Sequence, residues 1–341
     1  MIVTGGRNII GRSTPTQLLV YDVSQDAPVW RGGASLTQST VAGFPNRVVV
    51  KDGIAYVATS KVGIQMVSVA EAESDAAATT YDEALRMMTA STGYRMERVT
   101  PILVTPSAGS PMLNDLEVTD VGGDRLVFAV GRALGAPSPN PLALVVASTQ
   151  LGSVIHQGPL SGSVPMGEGG EAAQVTMEWP EALSLATVES RLIALVGGYG
   201  TGGGSTGIVL AVDVTTPTAP KLLAALTLTH PLVDLAITED GTIIAAGGGY
   251  GASGVATIIG GLKSMITDKP RLFESGPPLQ GIGGRLFIKD GLLYSSDRHI
   301  TIHPANTLKG VRTAALGPLA LVETDPYRVV VGAGPRAAAE F

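Results

Sequence analysis

The sequence predicts an all-β chain folded as a β-propeller of four-stranded antiparallel blades, and three observations predict it. An apolar run ending in glycines, a loose loop, a second apolar run and then a proline recur along the chain. A further short apolar strand closed by a tight turn precedes most of these pairs. The turn Asp240-Gly241 returns as Asp290-Gly291, a spacing of about 50 residues, and four antiparallel strands at that spacing form one propeller blade.

The repeating unit reads as strand A, tight turn, strand B, glycine loop, strand C, proline turn, strand D. In the opening copy "IVTGG" (2–6) is a B strand and "QLLVYDVSQDAPVW" (17–30) supplies C and the proline turn. "RVVVKDG" (47–53) is then the A strand for "IAYVATSKVGIQMVSV" (54–69), and "LEVTDVGGD" (116–124) the A strand for "LVFAVGRALGAPSPNPLALVVA" (126–147). "LSLATVES" (183–190) leads to "LIALVGG" (192–198) and "IVLAVDVTTPTAPKLL" (208–223); "LVDLAITEDG" (232–241) leads to "IIAAGGG" (243–249) and "VATIIGGLKSMITDKPRLF" (255–273). "RLFIKDG" (285–291) precedes "LLYSSDRHITIHPA" (292–305), and "LALVETDP" (319–326) opens a last copy. Asp-Gly between alternating apolar runs is a strong hairpin signal.

Six units result, with seven B-type strands because both ends of the chain contribute one, so the expected blade count is six, or seven if the surplus strand belongs to a further blade. The propeller spans 1–336 as a single domain, with insertions at about 70–100 and 150–180, and "AAAEF" (337–341) resembles a cloning scar. The first insertion holds the one credible helix, "AAATTYDEALRMMTAS" (76–91), with Tyr81, Leu85 and Met88 on one face. Strands rich in Val, Ile, Leu, Ala and Thr predict blades packed by aliphatic interdigitation, with glycine-rich strands allowing close approach.

Composition bounds the function. The 341 residues are 45% hydrophobic and 15% charged, with a net charge of -6, enough apolar material for a large core. No dense Lys/Arg run is present, which argues against nucleic acid or an anionic membrane as partner. There is no cysteine, so disulfides and thiolate metal sites are excluded. No apolar stretch approaches the roughly 18 residues that span a bilayer, and "MIVTGG" carries no basic segment followed by an apolar one.

Two repeats resemble known propeller families. "GIVLAVDVTTPTAPKLL" (207–223) resembles the LVIVD repeat, whose strand ends in Val-Asp-Val before a spaced pair of prolines; Asp213, Pro217 and Pro220 match residue for residue. "GIQMVSVAEAESDA" keeps the leading Gly63 but has Ser68 in place of the aspartate. "IVTGGRNIIGRSTPTQLLVYDVSQDAPVW" is similar to a kelch repeat, with Gly5, Gly6, Tyr21, Asp22 and Trp30; the other units lack that Trp. The resemblance implies a rigid binding or structural scaffold of the kind found in bacterial surface and secreted proteins. The abrupt ends add the expectation of a larger exported or cell-surface protein with flanking domains, outside the cell or in the periplasm, its protein or carbohydrate ligand unknown.

Candidate chemistry is sparse. The loop "GGYGTGGGSTG" (197–207) lies between two strands and contains no lysine, whereas a phosphate cradle needs a following helix. His299 and His303, four apart on a strand, would stand about 13 Å apart, too far for one metal. Asp115, Asp120 and Asp124 offer the oxygens that calcium takes, without EF-hand or nonapeptide spacing, and "DVGGD" reads equally well as a turn. Glu168, Glu171, Glu178 and Glu181 surround Trp179, as a glycosidase presents acid and base beside an aromatic ring; any acidic surface loop has the same composition. No G-x-S-x-G elbow or Ser-His-Asp signature occurs, and no cofactor is expected beyond that calcium reading.

The remaining inference is geometric. B-C loops and D-A links leave a propeller on one face and the tight A-B turns on the other, and loops on a rigid scaffold carry binding. Side chains expected on the loop face are Arg7, Asn8, Arg12, Arg132 and Arg298, with Trp179, Glu181, Tyr199 and Tyr250. Asn46, Asp115 and Asp234 stand near the starts of inner strands. A non-catalytic binding module is the leading expectation; a glycoside- or lactone-active hydrolase or lyase with carboxylates at the channel mouth, and a subunit of a larger assembly, remain open.

Overall fold

The structure, a computed structural model, describes residues 2–5, 8–9, 12–13, 17–22, 29–36, 45–69, 98–167, 170–200, 206–247, 255–275, 279–280, 282, 284–289, 291–296 and 300–304. Arg7, Tyr250, Arg298 and His299, the expected helix at 76–91, the seventh B strand and the tail at 337–341 lie outside the described residues.

The described chain is all-β. The first sheet takes β1 (Ile2–Gly5), β4 (Gln17–Asp22) and β5 (Val29–Ser35), with a hairpin of β2 (Asn8–Ile9) and β3 (Arg12–Ser13) between β1 and β4. Next come β6 (Pro45–Lys51), β7 (Ile54–Thr59), β8 (Gly63–Ser68) and β9 (Arg98–Leu103), then β10 (Ser110–Val121), β11 (Asp124–Leu134), β12 (Leu144–Ser148) and β13 (Ser153–Gly158), each set in order across one sheet. The following sheet has five strands: β14 (Ser161–Met166), β15 (Glu171–Val188), β16 (Arg191–Gly200), β17 (Gly207–Asp213) and β18 (Lys221–Leu228). Last are β19 (Asp234–Ile237), β20 (Thr242–Gly247), β21 (Val255–Gly261) and the two-residue β22 (Leu279–Gln280), then β23 (Arg285–Lys289), β24 (Leu292–Ser296) and β25 (Ile300–Pro304).

Up-and-down antiparallel sheets of this kind are propeller blades, and within each compact unit successive sheets pack in a propeller-like arrangement. Six or seven full blades are not what forms. Four sheets carry four or more strands, whereas the β1-β4-β5 and β23-β24-β25 sheets carry three among the described residues. The discrepancy has a simple origin: an A-B-C pattern of apolar runs scores as a unit whether or not a fourth strand completes the sheet. Residues 150–180, which read as an insertion, contribute β13, β14 and the start of β15. There β14 pairs along β15 and meets β18 in parallel at Met166 and Ala225, closing that sheet on itself. Ser, Gly, Pro and Glu at 161–171 conceal those strands from an apolar pattern.

The described residues form two compact units, one drawn from 1–129 and 147–154 and the other from 130–146 and 155–304. In the first, Leu18, Leu36, Val48, Ala55, Val57 and Val67 form a buried aliphatic cluster between neighbouring sheets. The second shows how period-two alternation builds the stack. On β20, Ile243 and Ala245 pack with Ile193, Leu195 and Val209 of the preceding sheet, while Ile244 and Ala246 pack with Leu286 and Leu293 of the following one. The β19–β22 sheet is therefore apolar on both faces, and burying each Ile or Leu contributes roughly 1.5–3 kcal/mol.

The A-B turns follow the chemistry of their residues. Asp52 and Gly53 have φ of 48° and 75°, both positive as a two-residue type I′ hairpin requires, and Asp and Gly tolerate that region best. Around this turn Lys51 and Arg125 pair with Asp120 at 2.8 and 3.0 Å, and Arg125 also bonds Asp52.

Candidate functional site

β15 runs for eighteen residues and its register against β16 slips twice. Met177 faces Gly200 and Trp179 faces Tyr199, so Glu178 is an extra residue; Pro180 faces Gly198 and Ala182 faces Gly197, so Glu181 is another. Each is a β-bulge, which bends the strand and re-aims its side chains. The two bulges bracket Trp179-Pro180. Trp179 is left 44% exposed, the one exposed large apolar side chain on this strand, directly across from Tyr199.

Glycine opposite the bulges makes the bend feasible. A Cβ on Gly198 would lie 2.7 Å from Pro180 Cα and inside contact of the Trp179 carbonyl oxygen, atoms of the backbone that cannot swing away. Gly198 thus admits a kinked strand, and residues 201–205 of the glycine loop lie outside the described residues.

The neighbouring β11–β12 loop is fastened to the same place. The amide of Asn140, only 4% exposed, accepts from the Ala133 and Leu142 amides at 3.1 Å each through Oδ1. Through Nδ2 it donates to the carbonyls of Gly131 at 2.8 Å and Glu178 at 3.2 Å. Ser138 of that loop donates to the Glu178 carboxylate. These bonds fix the residues on both sides of Arg132 and the residue before Trp179. Accordingly, the Arg132 guanidinium sits over the indole, 3.4 Å from the ring centroid, within cation–π range.

Of the expected loop-face residues, Arg132, Trp179, Glu181 and Tyr199 come together at this edge. Glu181, a bulge residue, is 8% exposed, so it is a buried group and not a free surface carboxylate. Asn8 and Arg12 lie on the β2–β3 hairpin. Asn46, Asp115 and Asp234 are buried, and their partners are within the fold. Asn46 donates to the Leu113 carbonyl. Asp115 accepts from the Leu116 amide at 2.9 Å and pairs with Arg47 at 3.3 Å. Asp234 accepts from the Leu235 and Leu286 amides at 2.9 and 2.8 Å, with Arg285 at 3.7 Å, and so staples β19 to β23.

The three aspartates considered for calcium have separate partners. Asp115 faces Arg47, Asp120 faces Lys51 and Arg125, and Asp124 accepts from the Ser148 hydroxyl and the Gln150 amide. The Lys51 and Arg125 hydrogen bonds hold the Asp120 carboxyl below the usual carboxylate range. Among the described residues no three acidic or histidine side chains gather at one point. Asn140, inside the B-C loop of "LVFAVGRALGAPSPNPLALVVA", is not among the expected residues, because a loop position carries no strand period to read. An asparagine flanked by prolines was the signal there.

No family model matches this chain, and no curated protein matches it. Among solved structures it is similar to the crystal structure of the computationally designed Ika8 protein, at 12% identity and a TM-score of 0.41, over 89% of this chain and 71% of that one.

Proposed function

We propose that the protein is a non-catalytic binding module of the LVIVD-like and kelch-like propeller kind, and that its ligand contacts the edge formed by Arg132, Trp179 and Tyr199. One observation carries this reading: a half-exposed indole held in place by two bulges, a glycine and a buried asparagine. Soluble proteins bury most of a tryptophan, and a rigid, preorganised aromatic side chain is what a binding surface needs to limit the entropy lost on association. The carboxylates beside it support binding over catalysis. Glu178 is engaged with Ser138 and Glu181 is buried, so the two do not present an open acid–base pair. The LVIVD-like reading draws support from Asp213, whose Oδ1 accepts the Thr215 amide at 2.9 Å. That bond closes the turn after β17, a structural role for the aspartate of the repeat.

The test is a solid-phase array of glycans and peptides probed with the wild-type chain and with Trp179→Ala. Wild type is expected to retain at least one probe, the variant to lose it, and the probe to be recovered unaltered. Retention by the variant, or release of a cleaved product, contradicts the proposal.

A further inference from the structure

The chemistry of the Trp179 edge narrows the ligand class, on the premise that this edge is the binding site. The guanidinium of Arg132 covers the indole at 3.4 Å, yet the side chain keeps 44% of its surface open. Close to half of the side chain is thus open to solvent although the guanidinium lies over the ring. Polar residues lie close by: the Arg132 guanidinium over the ring, Tyr199 directly across the ladder, and Glu178 next to Trp179 in sequence with its carboxylate accepting from Ser138. On β15 the exposed large apolar side chain is Trp179 alone, and the adjoining Pro180 is buried.

A protein partner is poorly served by such a patch. Protein interfaces place their tryptophan anchors inside a wider desolvated core, and here polar groups begin at the edge of one ring. A pyranose with equatorial hydroxyls suits it well. Its axial C–H groups form an apolar face about the size of an indole, and its hydroxyls project around the rim, where they suit a guanidinium donor. We infer that the exposed part of the Trp179 side chain is a subsite for one residue of an equatorially substituted hexopyranose chain, with Asn140 as the positioning residue that holds Arg132 and Trp179 in register.

The experiment is calorimetric titration of the full chain with cellohexaose and with chitohexaose, alongside a hexaproline peptide. Saturable binding of either sugar is expected. Trp179→Ala should weaken it about tenfold or more, and Trp179→Phe, which keeps a smaller ring, by a few-fold. Trp179→Phe also keeps the test decisive should the alanine variant fail to fold. Asn140→Ala should weaken sugar binding while leaving Trp179 itself intact. Absence of saturable heat with both sugars up to about 10 mM, or sugar binding indifferent to Trp179→Phe and Trp179→Ala, overturns the inference. Binding of the peptide alone, lost in Trp179→Ala, overturns the sugar assignment and leaves the binding edge standing.

Discussion

The side-chain amide of Asn140 donates to the main-chain carbonyl of Glu178 at 3.2 Å, joining the β11–β12 loop to the bulge that presents Trp179. The same amide brackets Arg132 through Gly131 and Ala133. A single buried group therefore sets the distance between the guanidinium and the indole it covers.

Removing that group has a defined cost. Asn140→Ala leaves two amides and two carbonyls without this partner, and each buried group left unmade costs about 1–3 kcal/mol before relaxation and water entry. A net loss of about 2–4 kcal/mol is expected in urea denaturation. In a Trp30→Phe background the remaining tryptophan, Trp179, should become more accessible to iodide quenching. An unchanged midpoint and unchanged quenching would show that the loop is held some other way.

Neighbouring glycines should respond differently to the same substitution. The Cβ of Gly198→Ala meets the Trp179 and Pro180 backbone, whereas that of Gly197→Ala meets side-chain carbons of Leu232 and Leu235. Side chains can rotate away and backbone cannot, so Gly198→Ala should be the more damaging, by about 3 kcal/mol or more against roughly 1–3 for Gly197→Ala. Comparison of urea midpoints at equal slope checks the order, and the reverse order would mean the double bulge is not as described.

Asp234 and Arg285 form a partly buried pair whose two halves are unequal. The aspartate holds two backbone amides across β19 and β23, while the arginine stands 3.7 Å away and is 22% exposed. Asp234→Ala orphans both amides and should cost about 2–4 kcal/mol. Arg285→Ala leaves the aspartate its amide partners and should cost less than half as much. Equal losses would show that the ion pair, not the amide staple, joins the strands.

Acid should weaken the fold in two stages. Burial pushes the His156 imidazole below its ordinary value near 6.5, opposed in part by a hydrogen bond to the Thr218 backbone. The unfolded chain therefore takes up a proton below about pH 6.5 that the folded chain resists, and stability falls with pH from there until the folded imidazole also protonates. Asp120, held below the carboxylate range first by Lys51 and then by Arg125, stabilises the fold above the ordinary value of 3.8 and loses that contribution as pH drops through its lowered folded value. Urea midpoints from pH 7 to 3 should show a slope that sets in below about pH 6.5 and that His156→Gln removes. A second slope below about pH 4 should become shallower in Asp120→Asn, and the part lost should shrink with salt, since the pair is exposed. A first slope surviving His156→Gln would refute the assignment.

Much of the architecture was legible before the structure. The B strands expected at residues 2, 54, 126, 192, 243 and 292 fall within two residues of the observed starts of β1, β7, β11, β16, β20 and β24. Turns such as Asp52-Gly53 adopt the positive φ their residues favour. Those features are local: alternation and turn chemistry are written into a few consecutive residues. Features set by pairing were hidden. The two-residue β22 has no periodicity to read, and β14 is made of Ser, Gly, Val, Pro and Met. Whether a sheet gains a fourth strand depends on residues far along the chain. At the site, Arg132, Trp179 and Tyr199 were placed on one face by strand order alone. Their contact was not, because it depends on bulges at Glu178 and Glu181 that break the period-two rule, and on an asparagine whose partners lie up to 38 residues away.

The most direct measurement is an indole N–H spectrum of ¹⁵N-labelled Trp30→Phe protein, in which the single tryptophan signal is Trp179, recorded with a saturating amount of whichever array probe binds most tightly. A shift or broadening of that signal in step with occupancy is the predicted result. A Trp179 signal that stays in place while backbone amides elsewhere respond would put the ligand at another surface and contradict the assignment of this edge as the binding site.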